Sequence, residues 1–325
     1  MSVESGTHQE VFSCRCCSSP VFDDEQFCEV CGAAAPAEPM APVAPPPGSS
    51  PGATDHEEWD LVTVAALSDR GHRRSRNEDA ARITCAGERM AVVVCDGVAS
   101  TANPHLAAVA AADAALGVLD ELLARPEWPG QDGVQDVVGR AFAAAGRAVL
   151  SVPDDEPDGN DLSPSTTMVV AVATPGQAVV GNVGDSRAYW LSEAAGRSRL
   201  VTVDDSWAQA SIAEGMAPEA AYAHPDAHTI TRWIGADAEP GAPALTAVDI
   251  TEPGVLLVCT DGLWNYFAHP EELAALARLA GPAPMDMARQ LSDAALAAGG
   301  QDNVTVAVLP VAPASNSWST VPNEE

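Results

Sequence analysis

TMVVAVATPGQAVVGNVGDSRAYWLSEAAGRSRLVTV, residues 167–203, carries four apolar runs in a row: Thr167 to Ala173, Ala178 to Val183, Arg187 to Leu191 and Leu200 to Val203. Only Gly- and Pro-bearing turns or short polar stretches separate them. Parallel strands need a crossover of a dozen or more residues, so strands this close together pair antiparallel. The stretch therefore predicts an α+β layered fold and argues against a doubly wound parallel sheet. Working outward, Leu61 to Leu67, Met90 to Cys95, Val255 to Thr260 and Asn303 to Leu309 read as further strands, several of them Val-rich as strands covered on both faces are. After Pro104, the spacing of Val109, Ala112, Leu116, Leu119 and Leu123 predicts a helix with one apolar face. Gln135 to Val149, Glu271 to Leu279 and Met285 to Ala298 predict three more, each bounded by Pro or Gly.

Composition narrows the chemistry. The 325 residues hold 46 acidic and 16 basic side chains, for a net charge of −30, and every basic residue is arginine. Without lysine, P-loop ATPases, kinases with a phosphate-binding lysine and Schiff-base enzymes are excluded. The acidity argues against nucleic-acid binding, which relies on clustered cations against phosphates. No apolar stretch reaches the length of a membrane span, and MSVESGTHQE lacks the pattern of a signal peptide, which predicts a cytoplasmic protein with no membrane partner.

Four parts are expected along the chain: a zinc ribbon at 1–35, a Pro-rich linker at 36–58, the main domain at 59–311 and a disordered tail at 312–325. Cys14-x2-Cys17 and Cys28-x2-Cys31 are separated by ten residues, the pattern of two knuckles that close a four-thiolate site for one structural Zn²⁺. Cys16 is surplus and could replace Cys17 as a ligand. The segment resembles the zinc ribbons of bacterial regulatory proteins. Five acidic residues against one arginine between Glu10 and Gly32 favour a docking or self-association module over a nucleic-acid contact, with a purely structural cap as the alternative. Seven prolines between Pro36 and Pro51 make the following segment a semi-rigid spacer.

Five short motifs set acidic residues beside strands: Ser68-Asp69-Arg70-Gly71 leading to Arg74-Ser75-Arg76-Asn77-Glu78-Asp79; Cys95-Asp96-Gly97; Gly184-Asp185-Ser186-Arg187; Thr260-Asp261-Gly262; and Gly300-Gln301-Asp302-Asn303. A lone Asp-Gly is an ordinary turn. A charge at the end of a buried strand, however, is costly unless paired. Several such ends in a lysine-free chain point to divalent cations, and oxygen-only ligands select Mg²⁺ or Mn²⁺ over zinc.

In this order the motifs resemble those of the type 2C metal-dependent protein phosphatases, over roughly Leu61 to Leu309. That resemblance implies a four-layer αββα sandwich of two antiparallel sheets flanked by helices. It also implies a centre of two or three Mg²⁺ or Mn²⁺ ions that activate a water to hydrolyse phosphoserine and phosphothreonine in proteins. By position, Asp96 would bridge the two metals, the Gly97 carbonyl would serve one of them, and Asp261 and Asp302 the other. Glu78 and Asp79 would support the metal shell, Arg74 would hold the substrate phosphate, and Asp185 matches a third, weaker site. The partner would be a phosphorylated protein, in opposition to a serine/threonine kinase.

Two positions depart from the family pattern. Val98 stands where eukaryotic members have a His proposed to protonate the leaving alkoxide, and Asn265 where many relatives have an Asp on the third metal. A pseudophosphatase that binds phosphoprotein and a small-molecule phosphohydrolase are the alternative readings. Between Val203 and Gly235 lies the expected flap, whose His224 and His228 are too disturbed by Pro225 to form a regular helical metal pair. His228 remains a candidate substrate contact or proton donor, and Trp207, Trp233 and Trp264 read as packing residues.

Overall fold

The structure is a computed structural model that describes residues 11–13, 20–22, 55–154, 162–238 and 241–314. Cys14, Cys16, Cys17, Cys28 and Cys31 lie outside the described residues, as does most of the expected linker and tail. Near the cysteines, β1 (Val11–Ser13) pairs antiparallel with β2 (Pro20–Phe22).

Two larger sheets make up the main body. One has the order β11 (Arg199–Leu200), β10 (Arg187–Ser192), β14 (Gly254–Cys259), β15 (Val304–Val311), β4 (Ala65–Asp69) and β3 (His56–Asp60). The other has the order β13 (Ala244–Asp249), β9 (Gln177–Val183), β8 (Met168–Thr174), β6 (Arg89–Asp96) and β5 (Asp79–Ala86). Every pairing in both is antiparallel. A short pair joins β7 (Ser165–Thr166) to β12 (Ile234–Gly235). The helices are α1 (Pro104–Leu123), α2 (Gly130–Val149), α3 (Trp207–Ala213), α4 (Pro218–Tyr222), α5 (Asp261–Trp264), α6 (Pro270–Leu279) and α7 (Pro284–Ala298).

Strand parity sorts the apolar side chains into three layers. On β6, Ala91, Val93 and Cys95 join the core beneath α1 and α2, while Met90, Val92 and Val94 face the opposite sheet. On β14, Leu256 and Val258 face between the sheets, and Leu257 and Cys259 face α6 and α7. The central strands are thus covered on both faces, which is why their sequences run apolar without alternation. The result is the expected sandwich of two antiparallel sheets flanked by helices.

Some details differ from the sequence expectation. The strand placed at Leu61 to Leu67 begins at Ala65, because the chain first turns through Val62, which has φ 70° and is exposed. The last apolar run, Leu200 to Val203, contributes only β11. Of the strands in the two larger sheets, three escaped the reading. β3 is a charged edge strand, HEEWD, held by Arg289 to Glu58 and by His56 to Asp69. The sheet therefore begins at His56, ahead of the boundary placed at 59. β5 is rich in small residues, and β13 has only Val248 fully covered. In α1 the buried face is made of Ala107, Ala108, Ala111, Ala112 and Ala115 with Leu119, Leu122 and Leu123, and Val109 is exposed. Alanines let the helix lie close to the sheet, so the bulkier Val109 and Leu116 do not define the contact face.

Candidate metal centre

The strand ends bring the acidic motifs to one edge of the sandwich. Asp79 opens β5 and Asp96 closes β6, and the two are direct register partners. Asp261 follows β14, Asp302 precedes β15, and Asp185 sits in the turn before β10. Glycine is required at two of these turns. A Cβ on Gly97 would lie 2.7 Å from the Pro104 carbonyl and 2.8 Å from the Glu78 oxygen. On Gly262 it would lie 1.9 Å from the Asn303 oxygen.

Asp79 and Asp185 are each 8% exposed. Burial, with the charge of Asp302, pushes the Asp79 carboxyl up to about 7, although hydroxyl bonds from Thr305 and Thr260 oppose the rise. Burial and then the charges of Asp79, Asp261 and Asp302 push Asp96 well above the usual carboxylate range. Asp261 is raised in the same way by burial, Asp302 and Asp185. Asp185 is pushed up to about 7 by burial and then by Asp204. These groups raise one another because several negative charges share one low-dielectric edge. Divalent cations that favour oxygen ligands, such as Mg²⁺ and Mn²⁺, would relieve this mutual repulsion, although among the described residues no three acidic, His or Cys side chains are drawn tightly enough together to form a finished metal cage.

Arg74 reaches into the cluster, with its guanidinium 2.7 Å from Asp302 Oδ2. Its loop is pinned by Asn303, whose Oδ1 accepts from the Glu78 amide at 2.8 Å and whose Nδ2 donates to the Arg70 and Arg76 carbonyls. Glu78 accepts through its backbone oxygen from the Gly97 amide at 3.1 Å, and its carboxylate lies 3.7 Å from Arg76 Nε. The candidate side chains of Arg74, Asp79, Asp96, Asp261 and Asp302 thus converge, with Asp185 close enough to act on Asp96 and Asp261, Gly97 next to Asp96 in the chain, and the Glu78 carboxylate beside Arg76. Val98 is half-buried and offers no side-chain proton. Asn265 Nδ2 donates to Asp261 Oδ2 at 3.2 Å.

The sequence reading missed three supporting features. Arg187 is 7% exposed and forks onto Asp204, with nitrogen–oxygen distances of 2.6–3.1 Å. Its guanidinium also lies 3.7 Å from the centre of the Trp264 ring, three residues after Asp261. Next to Asp204, the Asp205 carboxylate accepts from the Gly184 amide at 3.0 Å and from Arg232 at 3.2 Å. The third feature is a set of buried hydroxyls behind Asp79. A charged residue paired across a long sequence separation leaves no periodic signal; only the Gly-Asp-Ser-Arg motif marked Arg187. In the expected flap, α3 and α4 lie between Asp205 and Arg232. His224 stacks on Trp207 at 4.0 Å, whereas His228 faces Trp264 at 6.0 Å, so the two histidines serve separate contacts. Cys95 and Cys259 directly precede Asp96 and Thr260, and burial pushes both thiols up.

Comparison with known proteins places these features in context. The family model described as protein phosphatase 2C matches residues 69–297. The serine/threonine protein phosphatase PstP of Mycobacterium tuberculosis is 32% identical over 253 residues, which cover 77% of this chain and 45% of that protein. The chain thus spans about half the length of that relative. A crystal structure of the Mycobacterium tuberculosis serine/threonine phosphatase PstP/Ppp superposes with a TM-score of 0.61 at 28% identity, covering 77% of this chain and 98% of that one. The catalytic domain of PstP in complex with two manganese ions gives a TM-score of 0.57 at 27% identity, covering 75% and 96%. Among the described residues, no helix is long and apolar enough to cross a membrane.

Proposed function

The chain belongs to the protein phosphatase 2C family, and from that premise we propose that it hydrolyses phosphoserine and phosphothreonine in proteins, in opposition to a serine/threonine kinase. The observation that carries the reading is the convergence of Asp79, Asp96, Asp261 and Asp302 at one edge of the sandwich, with Arg74 beside Asp302. In this proposal Asp96, the Gly97 carbonyl, Asp261 and Asp302 hold two Mg²⁺ or Mn²⁺ ions, Glu78 and Asp79 support them, and Asp185 serves a weaker third site. When bound, the ions supply water activation and positive charge toward the phosphoryl group.

The chain's own residues do the rest. Arg74 presents a planar fork that suits a phosphate monoanion or dianion, and its present partner Asp302 keeps it at the edge of the cluster. Asn303 fixes the loop that carries Arg74 and Glu78, so that substrate binding does not have to order it. With Val98 in place, the proton for the leaving alkoxide comes from solvent or from another side chain. Arg70, Arg73, Arg74, Arg76 and Arg82 fall within thirteen residues of a chain of net charge −30, which concentrates its positive charge around the Glu78-Asp79 motif. In the same proposal Cys14, Cys17, Cys28 and Cys31 hold one structural zinc, on the strength of their spacing, the acidity of Glu10 to Gly32 favours a docking module over a purely structural cap, and the chain works in the cytoplasm.

The test uses the full chain with Mn²⁺ on phosphopeptides and on an aryl phosphate, beside Asp96→Asn and Asp302→Asn. Wild type is expected to release phosphate from phosphopeptides, and each variant to lose activity by about 100-fold or more. Wild type as inert as both variants sinks the enzymatic reading, and phosphopeptide binding without turnover would support the pseudophosphatase that Val98 and Asn265 suggest. Activity confined to the aryl phosphate would point to a small-molecule substrate.

A further inference from the structure

Strands β14, β15 and β4 are neighbours, and each carries an apolar row facing between the sheets: Leu256 and Val258, Ala307 and Leu309, and Ala66. At the cation edge each row ends in a hydroxyl. Thr260, Thr305 and Ser68 occupy the next positions of the same parity, and they are 0%, 0% and 2% exposed. Thr305 and Ser68 are cross-strand partners. Aliphatic side chains would continue the rows at lower desolvation cost, so the hydroxyls require a reason.

Their hydrogen bonds form one connected set. The Asp79 amide donates to Asn77 Oδ1 at 3.2 Å, which leaves Asn77 Nδ2 as the atom that donates to Ser68 Oγ at 2.8 Å. Ser68 Oγ therefore accepts there, and it shares a 2.7 Å hydroxyl–hydroxyl hydrogen bond with Thr305 Oγ1. Thr305 in turn donates to the Asp79 carboxylate. By a parallel route, Thr260 Oγ1 accepts from the Thr305 amide at 3.1 Å and donates to Asp79 Oδ2 at 2.9 Å. The two routes converge on one carboxylate, which on its other side meets Asp96 and Asp302.

We propose that Ser68, Thr260 and Thr305 are positioning residues for the cation centre. Their linked hydroxyls clamp Asp79 from behind and leave its remaining lone pairs on the side of Asp96 and Asp302. The proposal rests on the reading that these carboxylates hold divalent cations. Partners of this kind orient a ligand, and their loss weakens metal binding by about 10- to 100-fold in known sites.

The readout is Mn²⁺ binding to the full chain by isothermal titration calorimetry without substrate, with folding checked by circular dichroism. Thr305→Val keeps the shape of the side chain and removes the donor; it is expected to weaken Mn²⁺ binding about tenfold or more. Thr305→Ser restores the hydroxyl and is expected to stay within about threefold of wild type, a rescue that packing alone would not give. Ser68→Ala, which breaks the linked set one step back and guards against a Thr305→Val that fails to fold, is expected to weaken binding by a smaller factor. Wild-type affinity in Thr305→Val or Ser68→Ala, or a Thr305→Ser as weak as Thr305→Val, overturns the proposal. A wild type that binds no Mn²⁺ overturns the cation reading beneath it, and the two failures are distinguishable by that control.

Discussion

Replacing Asp79 by Asn should stabilise the metal-free protein at alkaline pH while removing much of its response to Mn²⁺. Burial and Asp302 push the Asp79 carboxyl from its ordinary 3.8 up to about 7. Because the folded value is the higher one, the native chain binds more protons than the unfolded chain between about pH 4 and 7. Stability therefore falls as pH rises through that window, and the cost is complete above it. Ionising Asp79 at pH 8 costs the folded chain roughly 4 kcal/mol more than the unfolded one, as an upper bound for a group surrounded by other carboxylates. Asn removes that cost but satisfies only one of the two hydroxyl donors, a loss of about 1 kcal/mol. The net gain is about 2–3 kcal/mol, or about 4–12 °C in melting temperature for a domain of this size.

The assay is a thermal melt in EDTA at pH 8 and at pH 5, repeated with Mn²⁺. At pH 5 the penalty on Asp79 is only roughly 2 kcal/mol, so the gain should shrink to about 1 kcal/mol. Saturating Mn²⁺ should raise the wild-type melting temperature far more than that of Asp79→Asn, since a cation bound only by the folded state stabilises it by mass action. A variant that melts below wild type in EDTA at pH 8, or whose gain is the same at both pH values, would refute the reasoning.

Other substitutions probe the frame around the site. Gly262→Ala should cost about 3 kcal/mol or more in urea unfolding, because the new methyl would overlap the Asn303 carbonyl. Arg187→Met should cost about 3–5 kcal/mol by leaving Asp204 buried and unpaired, and Asp204→Leu added to it should recover much of the loss, both read by chemical denaturation. Asn265→Asp adds a carboxylate beside Asp261 and should tighten binding of an additional Mn²⁺, seen as a higher stoichiometry in calorimetry. An unchanged stoichiometry would count against a third site there.

How much of this was legible in the sequence depended on whether a signal was periodic. The consecutive runs between Thr167 and Val203 exposed the antiparallel sheets, because a strand covered on both faces leaves a plain apolar block. Asp96, Asp261 and Asp302 were legible because each adjoins such a block, whereas Glu78, Asp79 and Asp185 were placed by the order of the motifs. β3 was not, since His56-Glu57-Glu58-Trp59-Asp60 is held at the sheet edge by ion pairs to Asp69 and Arg289 and touches the core through Trp59 alone. The face of α1 was misplaced because alanines, which carry little apolar signal, form its closest contact. Ser68, Thr260 and Thr305 look like ordinary polar residues until the register of three strands places them together behind Asp79.

Cys95 and Cys259 give the acidic edge a further property. Each stands next to a residue of the centre, yet both are fully covered, and burial holds their thiols in the neutral, poorly nucleophilic form. Peroxide or alkylating agents therefore have no ready target beside the carboxylates, and among the described residues Cys85 is the cysteine with partial exposure. The hydrolytic centre proposed here would keep working under oxidative conditions that silence thiol-dependent phosphatases. Any redox sensitivity of the whole chain would then be traced to the cysteine-rich N-terminal segment or to Cys85.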